Sequence, residues 1–183
     1  QNTVLVNATM KRSVWPLLFL LLCSCQEDLP VLPIGGDITL TAQDGKPYRL
    51  FSGNEPAWIF FGFSSCPDIC PATLARLAES EKALGRDIRL ILISVDTVRD
   101  TPPVLKAYLD RYSFRKAIGL TGSPEQIAEA ARLFATFFDS ADPAMIVHQS
   151  RVFLVDEKGQ VRHMFMGSES PAQIAALTRR LYH

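Results

Sequence analysis

The stretch "FGFSSCPDICPATL", residues 61–74, sets Cys66 and Cys70 on either side of Pro67, Asp68 and Ile69. Two sulfurs at that spacing suit three chemistries. A redox pair of the thioredoxin type usually has two residues between its cysteines, and here there are three. The wider turn still permits thiol exchange, and it lets two thiolates converge on one soft metal ion. An inert structural bridge fits least well, because such bridges gain most by closing longer loops.

A two-sulfur metal site calls for a third donor, and the chain has three histidines. His148 precedes the apolar run that starts after Arg151 by three residues, in a loop expected to come round beside the first cysteine. A loop histidine held by hydrogen bonds is the competing reading. His163, between Arg162 and Met164, is explained by packing or solvation, and His183 by the surface. Met164 and Met166 are soft donors on a hairpin, where packing is the commoner role.

The elements around the cysteines must position them. "PAWIFFGFSS", 56–65, is a continuous apolar run, which predicts a strand covered on both faces. A helix is expected from about Pro71 to Leu84, with Leu74, Leu77, Ala78 and Leu84 on one side. Pro71 suits its first turn, where the missing N–H has no intrahelical partner. Cys66 then falls in the loop after a buried strand and Cys70 at the helix start, where the helix dipole favours thiolate. The pair is expected to be ionised. Phe61 and Phe63 read as core, and Asp68 as a solvated acid near the helix start.

The remaining punctuation is regular. "IRLILISVD", 88–96, predicts a second buried strand. "TPPVLKAYLDRY", 101–112, predicts a helix capped by Thr101, and "SPEQIAEAARLFATFF", 123–138, one with Ser123 and Gln126 as a capping box. "RVFLVDEKGQVRHMFM", 151–166, predicts two strands turning at Asp156 to Gly159. "SPAQIAALTRRLYH", 170–183, predicts a closing helix capped by Ser170, with Arg179 and Arg180 at its negative end. Residues 37–52 read as an added hairpin turning at Asp44-Gly45. The order predicts an α/β, thioredoxin-like fold with a central mixed sheet, an N-terminal β-hairpin extension and an inserted helix. "SVD" ending at Asp96 and "RDTP" at 99–102 fall at the cysteine end of that sheet, where Asp96, Arg99 and Asp100 are candidates to brace the cysteine loop or to present a docking edge, with fold-local hydrogen bonds as the competing reading.

With 48% apolar and 21% charged residues, a 183-residue chain carries one ordinary core. Basic and acidic residues balance at 19 each, so nothing draws the chain to nucleic acid. "MKRSVWPLLFLLLCSCQ", 10–26, has a basic head and an apolar run shorter than the roughly 20 residues that span a bilayer, which predicts a cleaved secretory signal. Within it "LCSC", 22–25, resembles the lipobox of bacterial lipoproteins. That resemblance implies lipidation of Cys25 as the first mature residue, and Gln26 after it points to the outer membrane where a cell has two. The expected organisation is upstream sequence at 1–9, a lipoprotein signal peptide at 10–24, a Pro/Gly-rich lipidated tether at 25–36 and the domain at 37–183. Cys23 leaves with the signal and Cys25 is consumed, so Cys66 and Cys70 remain for chemistry.

Together with "LILISVDTVRDTPPVLKAYL" at 90–109, "GLTGSPEQI" at 119–127 and "HQSRVFLVDEKGQV" at 148–161, the cysteine motif resembles the Sco (SenC/PrrC) family of copper chaperones for cytochrome c oxidase. The resemblance implies a copper site made by Cys66, Cys70 and His148 on a periplasmic, membrane-held domain. It also implies delivery of copper to the dinuclear centre of oxidase subunit II, or reduction of that subunit's cysteines. Two positions depart from the pattern: Val147 stands where the family often has Asp, and Ser65 where many members have His. The first puts the Cu(II) form in doubt.

Thiolate and imidazole donors suit Cu(I), and three of them complete a trigonal site where structural zinc would require a fourth. The expected partners are subunit II, a copper donor, a thiol reductase that keeps the dithiol reduced, and the membrane. The chain is expected to be a metallochaperone rather than an enzyme. The alternative is a thiol–disulfide oxidoreductase that uses Cys66 and Cys70 without stored metal.

Overall fold

A computed structural model describes residues 28–139, 147–148 and 151–182, and among these the side chains of 28–138 and 151–182. Two long apolar strands, β3 (Ala57–Gly62) and β4 (Arg89–Ser94), are buried at every position and pair in parallel, with Trp58 opposite Leu90 and Gly62 opposite Ser94. Around them a seven-stranded sheet runs in the order β2-β1-β5-β4-β3-β8-β9. The added hairpin is β1 (Thr39–Ala42) with β2 (Pro47–Arg49), and β1 joins β5 (Lys116–Thr121) antiparallel. On the other side β3 pairs antiparallel with β8 (Val152–Val155), which turns into β9 (Val161–Phe165).

Among the described residues four helices cover this sheet: α1 (Ile69–Leu84), α2 (Pro102–Leu109), α3 (Pro124–Leu133) and α4 (Pro171–Arg179). Strand alternation divides the core between its faces. The Trp58 indole N–H donates to Thr178 Oγ1 of α4 at 3.1 Å. Phe61, one step out of phase, packs its ring 5.7 Å from Phe134 at the end of α3 and 6.2 Å from Phe153. Leu74, Leu77, Ala78 and Leu84 of α1 are all buried, as their spacing predicts.

The structure departs from the sequence reading in several places. β5 is a strand where none was expected: "KAIGLT" is short, half exposed at its start, and interrupted by Gly119. Gly119 is where α2 presses on the sheet, since a Cβ there would lie 2.9 Å from Leu105 Cβ. The extra helix therefore arrives with a strand of its own. α3 ends at Leu133 and not at 138; Phe134 is its C-cap and Ala135 takes φ +47°. That reversal releases Phe137 and Phe138 from the helix, and Phe138–Asp139 forms β6, paired with Val147–His148 as β7.

Ser123 and Ser170 both form full capping boxes, with Gln126 and Gln173. Thr101 holds the N-cap position of α2, but its side chain makes no capping hydrogen bond. Arg179 serves a different helix end from the one expected, because its guanidinium donates to the Ala83 carbonyl in the last turn of α1.

Residues 28–36 are docked through Leu29, Leu32 and Ile34 and are no free tether. Leu29 is buried in the core, and the Leu32 N–H donates to the Val161 carbonyl at 2.8 Å. The signal segment and Cys25 lie outside the described residues.

Candidate dithiol and metal site

The site begins where β3 ends. Gly62 closes the strand, a tight turn carries Phe63 to Pro67, and α1 starts at Ile69 with Cys70 as its second residue. Cys70 is buried and Cys66 is partly exposed, and both carry thiols. The Cys70 backbone N–H points at Cys66 Sγ, 3.4 Å away. The first turn of the helix thus offers its donor to the outer sulfur.

Cys70 departs from the expectation of an ionised pair. Burial pushes its thiol far above the ordinary range, and contact with Cys66 adds to the rise, while a hydrogen bond from the Phe63 backbone opposes it. A sulfur sealed under a helix loses the water that would stabilise its thiolate, and the dipole does not restore it. The result is one accessible sulfur and one inner sulfur. Gly62 makes room for the inner one: a Cβ there would lie 2.9 Å from Cys70 Sγ and 2.8 Å from the Phe60 ring.

The brace around the loop is a single buried carboxylate. Asp100 Oδ2 accepts the Ser64 N–H at 2.9 Å and the Ser94 hydroxyl at 2.6 Å, and Oδ1 accepts the Ser64 hydroxyl. Ser94 Oγ in turn accepts the Asp96 N–H at 3.1 Å, and Arg99 pairs with Asp96. Asp96 and Asp100 were legible as candidates for this role. Ser64 and Ser94 were not, because nothing local in the sequence marks them as partners of residue 100.

Asp68 occupies the N-cap of α1 without a side-chain capping bond. It lines a cleft of about 270 Å³ with Ile69, Thr73, Arg76 and Gly167. Phe61 and Phe63 are core, as expected. His163 is packed edge-on to Phe165 with ring centroids 4.8 Å apart, and burial holds its imidazole below the usual range, with Arg180 adding to the effect and Glu169 opposing it. Met164 is partly buried against the core and Met166 is exposed.

His148 is placed by its backbone alone. Its strand pairs with Phe138, and four residues later β8 opens with Val152 opposite Phe60, at the cysteine end of the sheet. Its side chain and His183 lie outside the described residues. Among the described residues no group of three His, Cys, Asp or Glu side chains is gathered for a metal. The Cys66 and Cys70 side chains do interact, and that pair of soft sulfur donors fits a soft ion such as copper.

A parallel β3–α1–β4 unit, an antiparallel β8–β9 hairpin, a closing helix and a dithiol at the front of α1 define a thioredoxin-like domain carrying a Cys-x3-Cys site. The family model described as SCO1/SenC matches residues 27–183, and the chain belongs to that family. A SCO2-like protein of Rickettsia felis is 39% identical over 153 residues, covering 77% of this chain and 73% of its own. The copper-bound structure of Bradyrhizobium japonicum ScoI is 33% identical, with TM-score 0.72 over 81% of this chain and 99% of that one. BsSco, described with a disulfide switch and as one of the Sco family of cytochrome c oxidase assembly proteins, is 29% identical, with TM-score 0.68 over 82% and 95%.

Proposed function

We propose that this protein is a membrane-anchored copper chaperone, held by lipid on Cys25 on the periplasmic side, that serves the dinuclear copper centre of cytochrome c oxidase subunit II. The observation that carries the reading is the convergence of Cys66 and Cys70 at the start of α1, with the backbone of His148 returning to the same end of the sheet. Copper is the cargo. Cys66 and Cys70 supply thiolates and His148 an imidazole, a set matched to Cu(I), and the Cys70 proton must leave as copper enters. Delivery is ligand exchange: acceptor donors displace His148 first and the sulfurs afterwards. A donor loads the site and a thiol reductase keeps it competent.

Anaerobic Cu(I) titration of the reduced domain from Gln26 onward, beside His148→Ala, tests this. One copper with two sulfur neighbours and one nitrogen, the nitrogen lost in the variant, is the expected X-ray absorption result. Retention unaffected by the variant removes His148 from the ligand set.

A second reading has its own observation. One partly exposed sulfur beside one buried sulfur is the arrangement of an attacking and a resolving thiol. In that role the Cys66 thiolate attacks an acceptor disulfide to form a mixed disulfide. Cys70 then displaces the acceptor's second thiol, leaving Cys66–Cys70 oxidised and the acceptor reduced by two electrons. Exchange activity that persists in His148→Ala without retained copper favours this reading.

A further inference from the structure

Residues 28–36 are built to stay docked. The Leu29 carbonyl accepts Arg162 Nε at 2.8 Å and a second N–H from Nη2, while Nη1 holds Asp156 Oδ2 at 2.9 Å. Further along, the Gly35 N–H donates to the Leu133 carbonyl at 2.7 Å. The glycines serve close approach and not flexibility. Gly35 has φ +97°, and a Cβ on it would lie 2.8 Å from Val161 Cγ2; one on Gly36 would lie 2.7 Å from Leu133 Cδ2.

This strap meets one particular end of the sheet. Asp156, Val161 and Arg162 flank the β8–β9 turn. Val155, at that end of β8, pairs with Ala57 at the beginning of β3, whereas the dithiol loop follows Gly62 at the other end. Six residues of β3 separate the two ends, about 20 Å of strand before the loop is added.

We propose that the docked strap makes the β8–β9 turn the membrane-proximal end of the domain and presents Cys66 and Cys70 at the membrane-distal end. The inference rests on the membrane-anchored reading above. Four residue steps run from Cys25 to the buried Leu29, a reach of at most about 14 Å. That is less than the length of the sheet. While the strap is docked the domain cannot invert to set the dithiol end directly on the headgroups, and an acceptor that approaches end-on must raise its own metal site to the far end of the sheet. Released, the same residues would lengthen the tether from at most about 14 Å to at most about 42 Å.

The test uses the full, lipid-modified chain in vesicles that contain a phospholipid with a maleimide headgroup, with the modified cysteine identified by peptide mass mapping. A soluble maleimide run in parallel reports the intrinsic reactivity of Cys66. A variant with about twenty Gly/Ser residues inserted between Glu27 and Asp28 leaves the strap intact and adds roughly 25 Å of reach. Capture of Cys66 by the headgroup maleimide is expected to be at least about tenfold slower in the parent than in this variant, since a linker that cannot span gives almost no effective concentration. Gly35→Val with Arg162→Met, which undocks the strap, is expected to raise capture as well. Equal capture in the parent and the insertion variant overturns the proposal. A chain that does not float with the vesicles overturns the anchored reading instead, and slow hydrogen exchange at the Leu32 and Gly35 amides then shows whether the strap itself stands.

Discussion

The carboxylate of Asp100 accepts both the backbone N–H and the hydroxyl of Ser64, two residues before Cys66, across 36 positions of sequence. The turn that presents the outer sulfur is therefore held by the loop after β4, through a group that is itself almost inaccessible to water. Dithiol geometry and the packing of the β4–α2 loop are one system.

Asp100→Asn tests that coupling. An amide oxygen in place of Oδ2 can keep the Ser64 N–H and the Ser94 hydroxyl, but the NH2 in place of Oδ1 donates to Ser64 Oγ, so the Ser64 hydroxyl proton loses its acceptor. A loss of about 1–3 kcal/mol in denaturant unfolding is expected, as for other buried donors left unmade. The alkylation rate of Cys66 in the folded state should change with it. An unchanged rate beside lowered stability would make Asp100 a general core polar group with no hold on the dithiol.

Gly62→Ala places a methyl 2.9 Å from Cys70 Sγ. Overpacking of this kind costs about 1–3 kcal/mol. The displaced sulfur should also weaken Cu(I) retention by more than the fall in stability explains, read by competition with a chelator of known affinity. Retention equal to the parent's would show that Cys70 can move without cost.

Thr178→Val removes the acceptor of the Trp58 indole N–H while keeping shape. The orphaned donor sits where no water reaches, so a loss of about 1–3 kcal/mol is expected. The dithiol lies at the far end of the strand, so the Cys66 alkylation rate should hold steady. A changed rate would reveal communication along β3.

Glu81 supplies the pH dependence. Oε2 accepts the Arg115 N–H at 3.2 Å, while Oε1 is buried with no hydrogen-bond partner of good geometry among the described residues. Burial raises its carboxyl above the ordinary value of 4.5, against the pull of the Arg115 N–H. A folded-state pKa above the unfolded one means that the favourable contribution is complete below about 4.5 and is lost as pH rises through the raised value. Glu81→Gln removes that loss. Its stability relative to the parent should therefore improve between pH 4 and pH 7.5 in matched thermal melts; a difference that is the same at both pH values would place the Glu81 carboxyl in its ordinary range.

What could be read from the chain followed physical range. Continuous apolar runs marked β3 and β4, because a strand covered on both faces needs no partner to be recognisable. The capping boxes at Ser123 and Ser170 involve residues three apart, so local order displays them completely. The cysteine motif, the helix behind it and the family resemblance also lie in contiguous stretches.

Other features depend on distant partners. "KAIGLT" becomes a strand only because β4 and β1 offer it edges on both sides, and its own apolar pattern is too short to say so. "QEDLPVLPIGG" has the composition of a flexible linker, yet from Asp28 onward it is docked, because Leu29 is buried and the Leu32 and Gly35 amides bond to Val161 and Leu133. The thiolate expected at Cys70 followed from a helix start that the sequence shows, and it failed because burial is set by everything packed above that start. The sequence by itself determined the candidate residues and the family resemblance, since residue type and short-range spacing are local properties. Tertiary structure alone decided which sulfur is accessible, what braces it, and where residues 28–36 dock, because desolvation and close approach are sums over neighbours that the chain brings together only by folding.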